Sequence, residues 1–296
     1  MLEAYAKRIL QARVYEAAVE TPLSDMSLLS GRFDNTILLK REDLQPVYSF
    51  KIRGAYNCMA QLDEAQKSKG VITASAGNHA QGVSLAAKRM GVHATIVMPR
   101  ITPEIKVNAA RARGAKVVLK GDAFNDALLH AQELMREHGY TWIPPFDHPD
   151  VIAGQGTVAM EILRQHQKHI DAIFVPVGGG GLLAGMAAYI KYLRPEIRVI
   201  GVEPEDAACL KAALEAGSRV TLDQVGLFAE GVAVAQIGEA PFEILRHHVD
   251  EVVTVNTDEM CAAVKDIFED TRAVSETSGA LSLACLLYTS PSPRDS

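Results

Sequence analysis

Ile173-Phe174-Val175-Pro176-Val177-Gly178-Gly179-Gly180-Gly181-Leu182 joins an apolar run of strand length to four consecutive glycines and the start of a helix. Without Cβ atoms the four glycines let the backbone approach an anion closely and turn several N–H groups toward it. The helix that follows adds about half a positive charge at its N-terminus, so a phosphate is well served there. The plainer reading is a tight strand-to-helix turn with no ligand. A run of four glycines favours the phosphate. The spacing is not GxGxxG, and Glu203 is only a weak candidate for holding a ribose, so a dinucleotide is the poorer ligand.

The same βα alternation recurs on both sides of this stretch. Residues 70–74 read as a strand, 79–90 as a helix, 94–98 as a strand, 105–113 as a helix, 115–119 as a strand and 122–138 as a helix. After residue 154 come a helix at 154–169, strand 172–177, helix 183–193, strand 198–202, helix 207–215, strand 251–255 and helix 258–271. An amphipathic helix over 1–19, a short strand at 36–40 and a helix from Lys51 to about Leu62 complete the reading. This pattern predicts an α/β protein built on open parallel sheets with helical crossovers. Pro144, Pro145 and Pro149 interrupt regular structure and mark an interdomain crossing. The expected division is a large domain from 1–41 and 146–285, and a small domain over 42–145. Residues 286–296 (LLYTSPSPRDS) are Ser/Pro-rich and are expected to be disordered, with a sequence foreign to the rest and a final domain cut short.

Composition narrows the function classes. The chain has 296 residues, 48% of them hydrophobic, enough for two cores, and a net charge of -6 from 30 Lys+Arg against 36 Asp+Glu. No basic patch with interleaved aromatics suggests nucleic acid, and no apolar run has membrane-spanning length. Cys58, Cys209, Cys261 and Cys285 lack CxxC spacing and read as reduced thiols. A cytoplasmic enzyme acting on a small molecule fits these limits. No HExxH occurs and His247-His248 lacks ligand spacing, so no metal is expected.

Two further stretches carry chemistry. In Ser49-Phe50-Lys51-Ile52-Arg53-Gly54 the lysine lies between apolar residues at a helix start. Desolvation there lowers an amine's pKa, and a neutral lysine attacks aldehydes and takes protons. Most lysines are simply solvated, so this reading depends on its company. Ser75-Ala76-Gly77-Asn78-His79 is a small-residue loop between strand and helix, where N–H groups converge. Asn78 is either an Asx-type cap or a donor to a phenolate oxygen. His79 is either a base or, better, a packed residue at the helix start; His148 reads as structural. An amine, a donor loop and a phosphate cradle together are what pyridoxal phosphate requires.

The segments KREDLQPVYSFKIRGAYN (40–57), TASAGNHAQG (73–82), PPFDHPDVIAGQGT (144–157) and VPVGGGGLLAG (175–185) resemble the threonine dehydratase (threonine ammonia-lyase) family. These proteins have the second fold type of pyridoxal phosphate enzymes, that of the tryptophan synthase β chain. The resemblance runs from about residue 12 to 284. Residues 45–47, 205–211 and 226–232 look closer to the biosynthetic branch than to the catabolic one. It implies that Lys51 bonds the cofactor aldehyde and that Asn78 donates to its ring oxygen. Phe50 would pack near the ring, and Gly178, Gly179, Gly180, Gly181 and Leu182 would bind the phosphate. Ser75, Ala76, Gly77 and His79 would form the loop that receives the substrate carboxylate. The implied reaction converts L-threonine to 2-oxobutanoate and ammonia, the first step of isoleucine formation, with L-serine as a slower substrate. A homo-oligomer, tetramer or dimer, is implied for the full-length protein.

Some positions depart from the family pattern. Racemising relatives carry a hydroxyl at the second position of the loop, where this chain has Ala76, so elimination is favoured over racemisation. Magnesium-dependent relatives carry an acid where this chain has Cys209. The resemblance places a ring-nitrogen partner downstream of 276–283, in a segment this sequence does not contain. Competing readings are a catabolic threonine/serine dehydratase, a β-replacement synthase of the same fold, an inactive cofactor-binding fragment and, more distantly, a nucleotide-binding module.

Overall fold

A computed structural model describes residues 1–289. The chain opens with α1 (Leu2–Leu10), then pairs β1 (Leu23–Asp25) antiparallel to β2 (Leu38–Lys40) around α2 (Ser27–Phe33). Next come α3 (Lys51–Ala60), α4 (Glu64–Lys69), β3 (Val71–Ala74), α5 (Asn78–Met90), β4 (Ala94–Met98), α6 (Glu104–Ala112), β5 (Lys116–Leu119), α7 (Phe124–His138) and β6 (Thr141–Trp142). The second half holds α8 (Pro149–Gln165), β7 (Ala172–Pro176), α9 (Gly181–Leu193), β8 (Arg198–Pro204), α10 (Cys209–Ala216), α11 (Glu239–His248), β9 (Glu251–Val255), α12 (Thr257–Thr271) and α13 (Thr277–Thr289).

The strands form two parallel sheets, one in the order β5-β4-β3-β6 and one in the order β7-β8-β9. Every residue of β3 and β4 is buried, as expected for central strands covered by helices on both faces. The α/β reading is therefore correct. Helices α3 and α8 join the two sheets' layers, and α8 packs in turn on α9. The contact is backbone to backbone: a Cβ at Gly154 would lie 2.6 Å from the Arg53 carbonyl oxygen. Separate apolar clusters fill the space on each side, one including Ile9, Ile152, Leu183 and Ile190, the other Ile52, Met59, Val83 and Ile96.

The larger departures from expectation are these. The first helix stops at Leu10 rather than running to 19, because the next segment is captured elsewhere: Arg13 N donates to Asn57 Oδ1 at 2.8 Å. Helix α8 begins at Pro149, five residues before its expected start at 154. Pro149 acts as a helix opener, since the first turn does not need its N–H, and the His148 ring accepts from Asp150 N at 3.2 Å. At the far end, α13 continues to Thr289, so the first four residues of the segment expected to be disordered are helical. Leu286 packs against the cluster of Leu281, Leu283 and Ala284. Residues 290–296 lie outside the described residues. Helices α2, α4 and α11 and strands β1 and β6 were not expected from the sequence.

Candidate active site

Lys51 is the first residue of α3. Its Nζ donates to the carbonyl oxygen of Pro145 at 3.1 Å and lies 5.4 Å from the centroid of the Phe50 ring. Burial pushes the amine down from 10.5 to about 8, a shift that the negative charge of Glu276 only partly offsets. A substantial neutral fraction is thus present near physiological pH.

The residue after that carbonyl leads directly to the glycine turn. A Cβ at Gly179 would fall 2.2 Å from Cδ1 of Phe146, and one at Gly181 would fall 3.0 Å from the Phe146 Cα. Gly180 caps α9 with φ 86°, a left-handed conformation that side chains resist. The first hydrogen bond inside α9 runs from Ala184 N to Gly180 O at 2.8 Å, and N–H groups ahead of it have no helical acceptor. The carbonyls of Gly178 and Gly179 are tied back by Cys209 Sγ at 3.4 Å and Gly238 N at 3.2 Å. Leu182 and Phe50 both pack on the larger apolar cluster.

The 75–79 loop approaches from the other sheet. Ser75 N donates to Val97 O at 3.1 Å and Gly77 N to Ser75 Oγ at 3.3 Å. Gly77, not Asn78, is the cap of α5, and the Asn78 amide donates to Glu276 Oε1 at 2.7 Å. The Asx-cap alternative is therefore not what the fold adopts. Further along α5, a Cβ at Gly82 would touch the Lys51 backbone at 3.0 Å. His79 is buried with Nε2 2.9 Å from Ile143 O; burial, then the Lys51 charge, drive its pKa down to about 3. It is a neutral ring donating Nε2–H, so its side chain is committed to packing. Ala76 rests against the cluster under α3 and α5.

The structure thus draws Lys51, Phe50 and the glycine turn together through Pro145-Phe146, and the donor loop to Lys51 through α5. Glu203, the weak ribose candidate, is buried and accepts from Leu210 N at 2.8 Å and Lys211 N at 2.9 Å, opening α10. Among the described residues no group of His, Cys, Asp and Glu could hold a metal ion. Pro145, Phe146 and Glu276 were not expected at the site. The first two lay inside a crossing read as punctuation, and nothing in the sequence near Glu276 signals it.

Residues 14–294 match the family described as pyridoxal-phosphate dependent enzyme. The chain belongs to that family. It is 60% identical over 280 residues to the biosynthetic L-threonine dehydratase of Salmonella typhimurium, covering 95% of this chain and 54% of that protein. It spans about half the length of the curated relatives it matches. Among solved structures, the processed form of threonine deaminase isoform 2 from Solanum lycopersicum superposes with a TM-score of 0.95 at 49% identity, covering 97% of this chain and 85% of that one. The serine racemase of Dictyostelium discoideum gives 0.89 at 35% identity, covering 96% and 92%. The fold is thus that of this enzyme family, as the sequence reading expected. No helix among the described residues is long and apolar enough to cross a membrane.

Proposed function

We propose that this chain carries the catalytic part of an L-threonine dehydratase that uses pyridoxal phosphate to form 2-oxobutanoate and ammonia, with L-serine as a slower substrate. The observation that carries the reading is the Lys51 amine, held on a neutral carbonyl one residue before Phe146, which lies against Gly179 and Gly181. The fit to the cofactor is physical. The four glycines let Phe146, Val232 and Ile237 pack directly on the turn's backbone, which fixes it in place, and a helix end presents N–H groups there. When bound, pyridoxal phosphate supplies an aldehyde carbon for amines and a ring that spreads negative charge.

The residues then have separable tasks. Gly178, Gly179, Gly180, Gly181 and Leu182 hold the phosphate, Asn78 donates to the ring oxygen, and Phe50 packs beside the ring. The loop of Ser75, Ala76, Gly77 and His79 receives the substrate carboxylate. Lys51, part of its population neutral, takes the proton from the substrate Cα. Ala76 has no proton to return to the opposite face, which supports elimination over racemisation. The two-part division, 1–41 with 146–285 and 42–145, a cytoplasmic location and homo-oligomerisation in the full-length protein belong to the same proposal. The similarity to biosynthetic relatives supports an activity at the first step of isoleucine formation.

Purified chain with added pyridoxal phosphate and L-threonine tests this. Release of 2-oxobutanoate with no D-allo-threonine is expected and, with L-serine in place of threonine, pyruvate with no D-serine. Racemisation, or consumption of L-threonine only when a second nucleophile is supplied, overturns it in favour of a racemase or a β-replacement synthase.

A further inference from the structure

Glu276 stands one residue before α13 and faces two site groups at once. Its Oε1 accepts from the Asn78 amide at 2.7 Å, and its charge reaches the Lys51 amine. Its placement is rigid. Glu276 O accepts from Gly279 N at 3.0 Å and Ala280 N at 3.2 Å, and the Ser275 hydroxyl donates to the same oxygen at 2.9 Å. Thr277 Oγ1 donates to Phe228 O at 2.8 Å and Ser278 Oγ accepts from Gly231 N at 2.9 Å, so the residues on either side are pinned. A carboxylate at a helix N-terminus also sits in a favourable field.

We infer that Glu276 is a positioning residue for the cofactor: its carboxylate fixes which face of the Asn78 amide meets the ring. This rests on the proposed function. A carboxylate accepts but does not donate, so it selects the nitrogen of Asn78 rather than its oxygen. One N–H is then engaged, and the second is left for the ring oxygen. The contact also crosses between the two sheets' layers, since Asn78 opens α5 and Glu276 precedes α13. The other titratable ring that the Lys51 charge reaches, His79 on α5, is neutral. Removing the Glu276 charge therefore moves Lys51 in one direction only, toward easier loss of its proton.

The test uses the whole chain and no substrate. Pyridoxal phosphate is added across a pH series and its lysine-bound visible absorbance is followed for the unmutated chain, Glu276→Gln and Glu276→Ala. Glutamine keeps an oxygen for the Asn78 amide but loses the charge. Its pH midpoint for cofactor capture is expected to fall by about half a unit or more, with little change in cofactor affinity. Alanine removes both functions, so the same fall is expected together with an affinity about tenfold weaker. Midpoints and affinities equal to those of the unmutated chain overturn the inference. So does a lowered melting temperature with an unmoved midpoint, which is the mark of a merely structural residue. Glu276 is exposed, so both variants retain the core. Failure of the unmutated chain to capture cofactor at any pH defeats the proposed function itself, and this inference with it.

Discussion

Lys51 and Arg53 are cations two residues apart on α3, and the helix turns them to opposite faces. Arg53 is fully buried yet saturated: its guanidinium donates to Glu42 at 2.7 and 2.8 Å, to Glu161 at 2.6 and 2.9 Å and to Thr157 Oγ1 at 3.1 Å. Burial pulls its pKa down, but the two carboxylates more than offset that and raise it. Glu161, whose own burial would raise its pKa, is held below the usual carboxylate range by Arg53 and by Lys40 at 2.7 Å. Lys51 has a neutral carbonyl as its acceptor, and burial wins. The contrast shows how one helix keeps a permanent charge on one face and an amine that sheds its proton more readily on the other.

The largest effect should come from the unpaired cation. Lys51→Met is expected to abolish 2-oxobutanoate release and the visible absorbance of lysine-bound cofactor. The same variant carries a stability signature with a definite sign. Lys51 falls from 10.5 to about 8 on folding, so between those values the unfolded chain holds a proton that the folded chain has lost. Stability from this group therefore rises with pH across that window, and below about 8 its full cost remains. Lys51→Met should erase the rise and stabilise the apoprotein at pH 7. Urea denaturation at pH 7 and pH 10 measures both; a less stable variant at pH 7 would contradict the contrast.

The paired cation predicts the opposite behaviour. Glu161→Ala strands Arg53 and Lys40 in the interior and should cost about 3–5 kcal/mol in urea unfolding. A loss below about 1 kcal/mol would mean that the cluster is more solvated than its geometry implies. A smaller effect is expected at the glycine turn. In Gly179→Ala the new methyl must displace the Phe146 ring, for about 1–3 kcal/mol of stability, with weakened cofactor binding measured by absorbance titration. Unchanged binding would separate the turn from the phosphate.

Much of this contrast was visible before the fold was known, but unevenly. The strand at 94–98 and the one at 251–255 were bounded correctly because their apolar runs stop at polar punctuation. Lys51, Asn78 and the four glycines stood out because each combines an unusual residue with an unusual setting. Arg53 did not, since a buried guanidinium looks like any surface arginine until Glu42 and Glu161 are brought to it from distant sequence. Pro149 misled because a proline that interrupts helices also opens them, and its role depends on the His148 ring accepting from Asp150 N. Glu276 was invisible for a similar reason: its partner, Asn78, lies 198 positions earlier.

Everything proposed for this chain depends on the cofactor meeting the amine at position 51. Incubation with pyridoxal phosphate, reduction with borohydride and peptide mass analysis test it most directly. A single dominant adduct on Lys51 is expected, forming progressively faster as the pH approaches 8. An adduct on another lysine, or none at any pH, would contradict it.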